Sequence, residues 1–151
     1  MKWINNRNKG NSKDINENND SVFTCSREPV KVLIVLITSN RGLCGGFNLN
    51  IAKQAVERVR LKYNMQYQLG DVEFISIGKM GERQIRLRNM KVTKSCNDLL
   101  DNLDCDQAYA LANEIMQDFS SKKYDRVELI YNQFKNAAVQ MNLTEQYLPI
   151  K

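Results

Sequence analysis

Six consecutive large apolar residues, Val32-Leu33-Ile34-Val35-Leu36-Ile37, followed closely by Gly42, Gly45 and Gly46, constrain this chain more than any other feature. A strand that is apolar at every position has no side to offer water. It belongs in the middle of a sheet that is covered on both faces. The predicted strand runs from Val30 to Thr38, and the three glycines form the turn that leaves it. A parallel neighbour strand can be reached only through a crossover, so the turn should open into a helix. From Asn48 to about Asn64 the apolar residues Ile51, Ala52, Ala55, Val56, Val59 and Tyr63 recur at helical spacing, with Lys53, Glu57, Arg58 and Arg60 between them. Asn48 is the expected N-cap.

The pattern then repeats with variations. Asp71 to Ile77 alternates as a second strand, Gly78 turns the chain into a short helix over Lys79 to Arg88, and Lys91 to Ser95 is a brief third strand. Asp104, with Gln107 three residues on, signals the start of a helix from Cys105 to about Ser121. Arg126 to Phe134 reads as a fourth strand with Val127, Leu129 and Tyr131 facing inward against Arg126, Glu128 and Asn132. Lys135-Asn136 is the expected turn into a fifth strand over Ala137 to Leu148, making a terminal hairpin. The order β-α-β-α-β-α-β-β predicts an α/β, Rossmann-like, doubly wound sheet of five mostly parallel strands, with an antiparallel terminal hairpin and helices on both faces. Residues 1–28 are Asn-rich without apolar periodicity, so they are expected to form a flexible polar tail ahead of one α/β domain over 29–151.

A strand, a glycine-rich turn and a helix are also where phosphates bind, and that reading can be tested on spacing. Gly42, Gly45 and Gly46 do not fit Gly-x-Gly-x-x-Gly. Phe47 and Asn48 stand where a P-loop needs its Lys and its hydroxyl. No acidic residue falls where a ribose would be held: Glu57 lies within the helix and Asp71 comes too late. The glycines are expected to permit a tight turn and close packing, and no cofactor is expected.

Other chemistry is equally unsupported. The chain has no His, which removes the usual general base and the commonest transition-metal ligand. Its four cysteines, at 25, 44, 96 and 105, lack the two-residue spacing of zinc knuckles and redox dithiols. Cys44 is expected to be a small packed residue, without a His to activate it. Asp98, Asp101, Asp104 and Asp106 lack the alternation and closing Glu of a calcium loop and read as solvated caps. A net charge of +5 without any block of like charges names no nucleic-acid partner. Lys79, Arg83 and Arg86 share one side of the second helix, and they are the candidate contact surface for an acidic partner or lipid headgroups. No run approaches the about 20 apolar residues of a membrane-spanning helix.

Four motifs in order then point to a family. Arg41-Gly42-Leu43-Cys44-Gly45-Gly46-Phe47-Asn48 follows the apolar strand, Ile77-Gly78-Lys79-Met80-Gly81 follows the second strand, and Tyr131-Asn132-Gln133-Phe134-Lys135-Asn136 marks the hairpin. Gln140 and Leu148-Pro149-Ile150 fall on the strand after it. From about residue 30 to the end, the chain resembles the central Rossmann-like domain of F-type ATP synthase gamma subunits. It departs from the usual pattern in carrying Asn40 where the family commonly has Asp, and in lacking the periodicity of the long N- and C-terminal coiled-coil helices. The resemblance implies a piece of a longer subunit and a non-catalytic rotor domain that couples proton flow to ATP synthesis or hydrolysis on other subunits. The implied partners are the epsilon subunit and the membrane c-ring, and the catalytic alpha/beta ring by way of the coiled-coil helices. The implied location is peripheral, on the cytoplasmic or matrix face of a membrane, without membrane insertion or nucleic acid.

Overall fold

A computed structural model describes residues 21–41, 46–102, 104–136 and 139–151. Its elements are β1 (Val32–Ile37), α1 (Phe47–Lys62), the single-turn α2 (Asn64–Gln68), β2 (Val72–Ile77), α3 (Lys79–Leu87) and β3 (Val92–Ser95). A 3-10 turn (Asn97–Leu100), α4 (Cys105–Ser120), β4 (Arg126–Asn136) and β5 (Val139–Leu148) follow. The five strands lie in the order β3-β2-β1-β4-β5. β1 pairs in parallel with β2 and β4, β2 in parallel with β3, and β4 antiparallel with β5.

The apolar run is therefore the middle strand, and its alternate side chains feed two cores. Val32, Ile34 and Leu36 pack under α1 and α3 with Ile51, Ala55, Val59, Phe74 and Ile85. Leu33 and Val35 pack under α4 with Leu111, Ile115 and Phe119. From Val32 to Leu36 no residue is more than 2% exposed, which explains why the strand tolerates no polar position. Burying a residue of this size stabilises by about 1.5–3 kcal/mol, so this one strand anchors both layers.

Three expectations change. Helix α1 begins at Phe47, one residue early, and its cap position Gly46 has no side-chain bond. Asn48 is therefore inside the first turn and does not cap it. Its carboxamide turns back instead, accepting from Ser39 N (3.2 Å) and donating to Ser39 Oγ (2.8 Å). Strand β4 continues through Lys135-Asn136, where a turn was expected, with Asn136 paired to Val139, because the ladder gains further bonds before reversing. Glu128, expected among the outward residues of β4, is 0% exposed. Asp104 does cap α4, accepting from Asp106 N at 2.9 Å, and among the described residues Gln107 adds no bond to complete a box.

The tail expected over 1–28 is described only from residue 21, and there it is held to the α4 side. Residues 21–24 form a helical turn, and Phe23 stacks on Phe119 with ring centroids 6.4 Å apart. Arg27 bonds to Asp125 (3.0 Å) and to the carbonyls of Phe119 and Tyr124, with its guanidinium 4.5 Å over the Phe119 ring.

Candidate functional site

Ligands of an open α/β sheet bind outside the carboxyl ends of the strands, near the point where the strand order reverses. Here that point is β1, whose end leads into Thr38-Ser39-Asn40-Arg41. Of the signature turn, Gly42, Leu43, Cys44 and Gly45 lie outside the described residues. Arg41 is exposed, Gly46 and Phe47 open α1, and Asn48 is 4% exposed.

Beside this end of β1, three amides at the start of α3 are taken by side chains of neighbouring segments. At the start of α3, Gly78 N donates to Asn97 Oδ1 (2.7 Å), Lys79 N to Asn40 Oδ1 (2.9 Å) and Gly81 N to Thr38 Oγ1 (2.8 Å). These are the amides that would otherwise hold an anion at a helix N-terminus. Asn40 returns its amide hydrogens to Asn97 O (2.9 Å) and Asp101 Oδ1 (3.1 Å). Asn97 donates to Glu82 Oε2 (2.8 Å), and Glu82 also binds Arg86. Hydrogen bonds from Ser95, outweighing partial burial, and then from Asn97 and Arg86 hold the Glu82 carboxyl below its ordinary pKa. The arrangement ties β1, α3 and the 3-10 turn together and leaves none of these three amides for a phosphate. Melting curves with millimolar ATP, ADP or NAD are therefore expected to superimpose on the ligand-free curve. A bound nucleotide at ~100 times its Kd would add ~2.7 kcal/mol and be plainly visible.

Asn40 gives a sharper test. An aspartate there could not donate, so Asn97 O and Asp101 would each lose a partner, and two carboxylates would face one another. Asn40→Asp is expected to destabilise by about 1–3 kcal/mol in urea unfolding at neutral pH.

The remaining candidates fall as follows. Lys79, Arg83 and Arg86 are all exposed on one side of α3 and line a shallow surface recess with Glu82 and Leu87. Asp101 accepts from Asn40 and Asp104 caps α4, so two of the four loop aspartates have structural work. Among the described residues no group of three or more His, Cys, Asp or Glu is placed to hold a metal ion.

Sequence reasoning missed the principal buried charge. Glu128 on β4 receives Arg58 Nε (2.6 Å), Arg58 Nη2 (2.9 Å), Lys62 Nζ (3.0 Å) and Tyr63 Oη (2.6 Å), all from the last part of α1 or its cap. Burial alone would raise its pKa, but the bonds from Arg58, Tyr63 and Lys62 outweigh that and lower it to about 2. Burial first, and then Glu128, push the Tyr63 phenol up. Arg58 and Lys62 read as ordinary solvent-side residues of an amphipathic helix, and nothing in their spacing announces a carboxylate 66 to 70 residues away. The cluster is a clamp between α1 and the sheet.

Comparison with known proteins places the chain in a family. A family model described as ATP synthase matches residues 3–151. The ATP synthase gamma chain of Cytophaga hutchinsonii is 45% identical over 132 residues, covering 87% of this chain and 45% of the relative. That of Flavobacterium johnsoniae is 42% identical over 128 residues, covering 85% of this chain and 43% of the relative. The chain thus spans somewhat less than half the length of these curated relatives. Among solved structures, a chain of the Tetrahymena thermophila mitochondrial ATP synthase central stalk and c-ring superposes with a TM-score of 0.62. It is 27% identical, over 93% of this chain and 60% of that one. A chain of the Euglena gracilis mitochondrial ATP synthase rotor shares the fold, with a TM-score of 0.55 at 22% identity over 87% of this chain and 47% of that one. With its motifs in family order and the family model covering almost every residue, the chain belongs to the F-type ATP synthase gamma-chain family.

Proposed function

We propose that this chain is the globular foot domain of the ATP synthase central stalk, a rotor part that couples proton flow to ATP synthesis or hydrolysis at sites on other subunits. The family match over residues 3–151 carries the reading. The side-chain bonds that tie the end of β1 and the 3-10 turn to the start of α3 support it, because a part that transmits force needs rigid cross-ties. The Glu128 clamp adds to that stiffness by joining a helix to the sheet with four hydrogen bonds.

In this reading the partners are the epsilon subunit and the c-ring, and the catalytic alpha/beta ring is reached through the coiled-coil helices of the family. No residue of this chain performs chemistry. The exposed basic side of α3, at Lys79, Arg83 and Arg86, serves as a contact surface for an anionic partner. The domain works peripherally, on the cytoplasmic or matrix face of the membrane. Among the described residues no helix is long and apolar enough to cross a membrane. Mixing the chain with the purified epsilon subunit of the same source is expected to give a one-to-one complex on gel filtration. Two folded proteins eluting separately would count against the partner assignment.

A further inference from the structure

The strongest unexplained feature is the corner where the end of α1, α2 and the end of α3 meet. Four large apolar side chains stand out there into solvent: Leu61 is 80% exposed, Met65 75%, Leu69 74% and Leu87 67%. Leu61 and Leu87 are linked through Arg88, and Met65 and Leu69 lie in or directly after the adjoining α2. Leu61 and Arg88 line one recess, Leu87 lines the next one with Lys79 and Arg83, and Tyr67 Oη of α2 donates to Asn89 O just beyond α3 at 3.3 Å. Isolated apolar residues on a surface are ordinary, but a group of four at one corner is not.

The charges around them are one-sided. Lys53, Arg60, Arg83 and Arg88 surround the leucines, and among the described residues none of the four makes an ion pair. Arg88 is held by Gln84 alone, a neutral partner. Glu57 is the unpaired acid in the same recesses, since Glu82 is committed to Arg86 and Asn97. Apolar tips ringed by uncompensated Arg and Lys are the pattern of a surface that settles on an anionic bilayer, with the tips entering the headgroup layer and the cations meeting phosphates. The apolar tips are unbranched or γ-branched Met and Leu side chains with cations beside them, which need no shaped pocket to bury them and suit a fluid, anionic headgroup layer.

We infer that this corner is a docking surface for the anionic headgroups of a lipid bilayer. The inference rests on the reading of α3's basic side as a contact surface and names the partner as phosphate-bearing lipid. It adds a peripheral lipid contact to a domain whose other implied contacts are all with protein.

Co-sedimentation with vesicles tests it. The wild-type chain is expected to pellet with vesicles of roughly two parts phosphatidylcholine to one part phosphatidylglycerol, to stay in solution with pure phosphatidylcholine, and to release as salt rises. Each cation is worth about fivefold in partitioning, so Arg60→Gln/Arg83→Gln/Arg88→Gln should weaken binding on the order of 100-fold. A control with the same charge change, Arg41→Gln/Lys94→Gln/Lys151→Gln, lines none of the recesses that hold Leu61, Leu87 or Gly70 and should bind as wild type does. Leu61→Ser/Leu87→Ser should weaken binding while keeping its salt dependence. Apart from the half-buried Arg88 and Lys94 these positions are exposed, and unchanged melting curves confirm that each variant is folded. Equal losses in the corner and control variants would reduce the effect to net charge and overturn the proposal. So would failure of the wild type to pellet, which would leave an acidic protein as the occupant of the corner. Neither result touches the rotor reading, which is tested separately by epsilon binding and by exchange of the domain into a relative.

Discussion

Glu128→Ala should be among the most damaging single substitutions in this chain, destabilising it by about 3–5 kcal/mol. The truncation leaves Arg58, Lys62 and the Tyr63 hydroxyl facing an empty position on β4, where the lost carboxylate accepted four hydrogen bonds. Tyr63 is 0% exposed and has no route to water, whereas Arg58 and Lys62 are about one-third or more exposed and can partly rehydrate. The conservative Glu128→Gln should cost less and should carry a distinct signature. With the Glu128 pKa depressed to about 2, its contribution is fully present above the unfolded value near 4.5 and is lost as pH falls through the folded one. The shift corresponds to about 3 kcal/mol. Urea midpoints measured from neutrality down to pH 2 should therefore fall more steeply in the wild type than in Glu128→Gln. Parallel curves would mean that the clamp is not the acid-sensitive tie described above.

The second large effect is expected at the turn after β2. An added Cβ on Gly78 would collide with the Thr38 carbonyl oxygen, which is backbone and cannot swing aside, and Gly78 also sits at φ 122°. On Gly81 a Cβ would come within 2.5 Å of Thr38 Oγ1 and 2.6 Å of its Cγ2, and would displace the hydroxyl that accepts from Gly81 N. Gly70 is the internal control, with φ at 78° but nothing within 4 Å of the added carbon. Gly70→Ala should thus incur only the left-handed backbone penalty of about 1–2 kcal/mol. Gly78→Ala combines strain with a clash and should reach about 3–5 kcal/mol. Gly81→Ala, which must move only a side chain, should fall between them. Thermal or urea unfolding of the three variants ranks them directly. A Gly78→Ala variant no worse than Gly70→Ala, together with a Gly81→Ala variant as stable as wild type, would show that the approach of Thr38 does not dictate these glycines.

These two sites show what the sequence could and could not convey. The central strand was readable because full burial removes every polar position, and Val32 to Leu36 prove to be buried on both faces. The helices were readable because α1 and α4 each keep one apolar stripe, and Asp104 announces its own helix through a bond two residues away. Local patterns reach only local partners. Glu128 looked like a solvent-side residue because alternation in β4 is correct for its neighbours Val127 and Leu129, whereas its three partners lie far upstream in the chain. Asn48 looked like a cap because it precedes the periodic residues, but Ser39 at the end of β1 claims its carboxamide. Asn40 could be noted from sequence only as a departure from the family's usual Asp. Its value becomes clear from Asn97 and Asp101, which need a donor at that position.

The rotor assignment is tested most directly by exchange. Residues 30–151 would replace the matching segment of the Cytophaga hutchinsonii ATP synthase gamma chain, and ATP-driven proton pumping by the assembled enzyme would be measured in inverted vesicles. The two chains are 45% identical over 132 residues, so the sheet and its cross-ties should be accepted in place. The account predicts an assembled complex whose ATP hydrolysis still acidifies the vesicle lumen. An assembled complex that hydrolyses ATP at the normal rate but pumps no protons would contradict it, because the grafted domain would then be folded and present yet unable to couple.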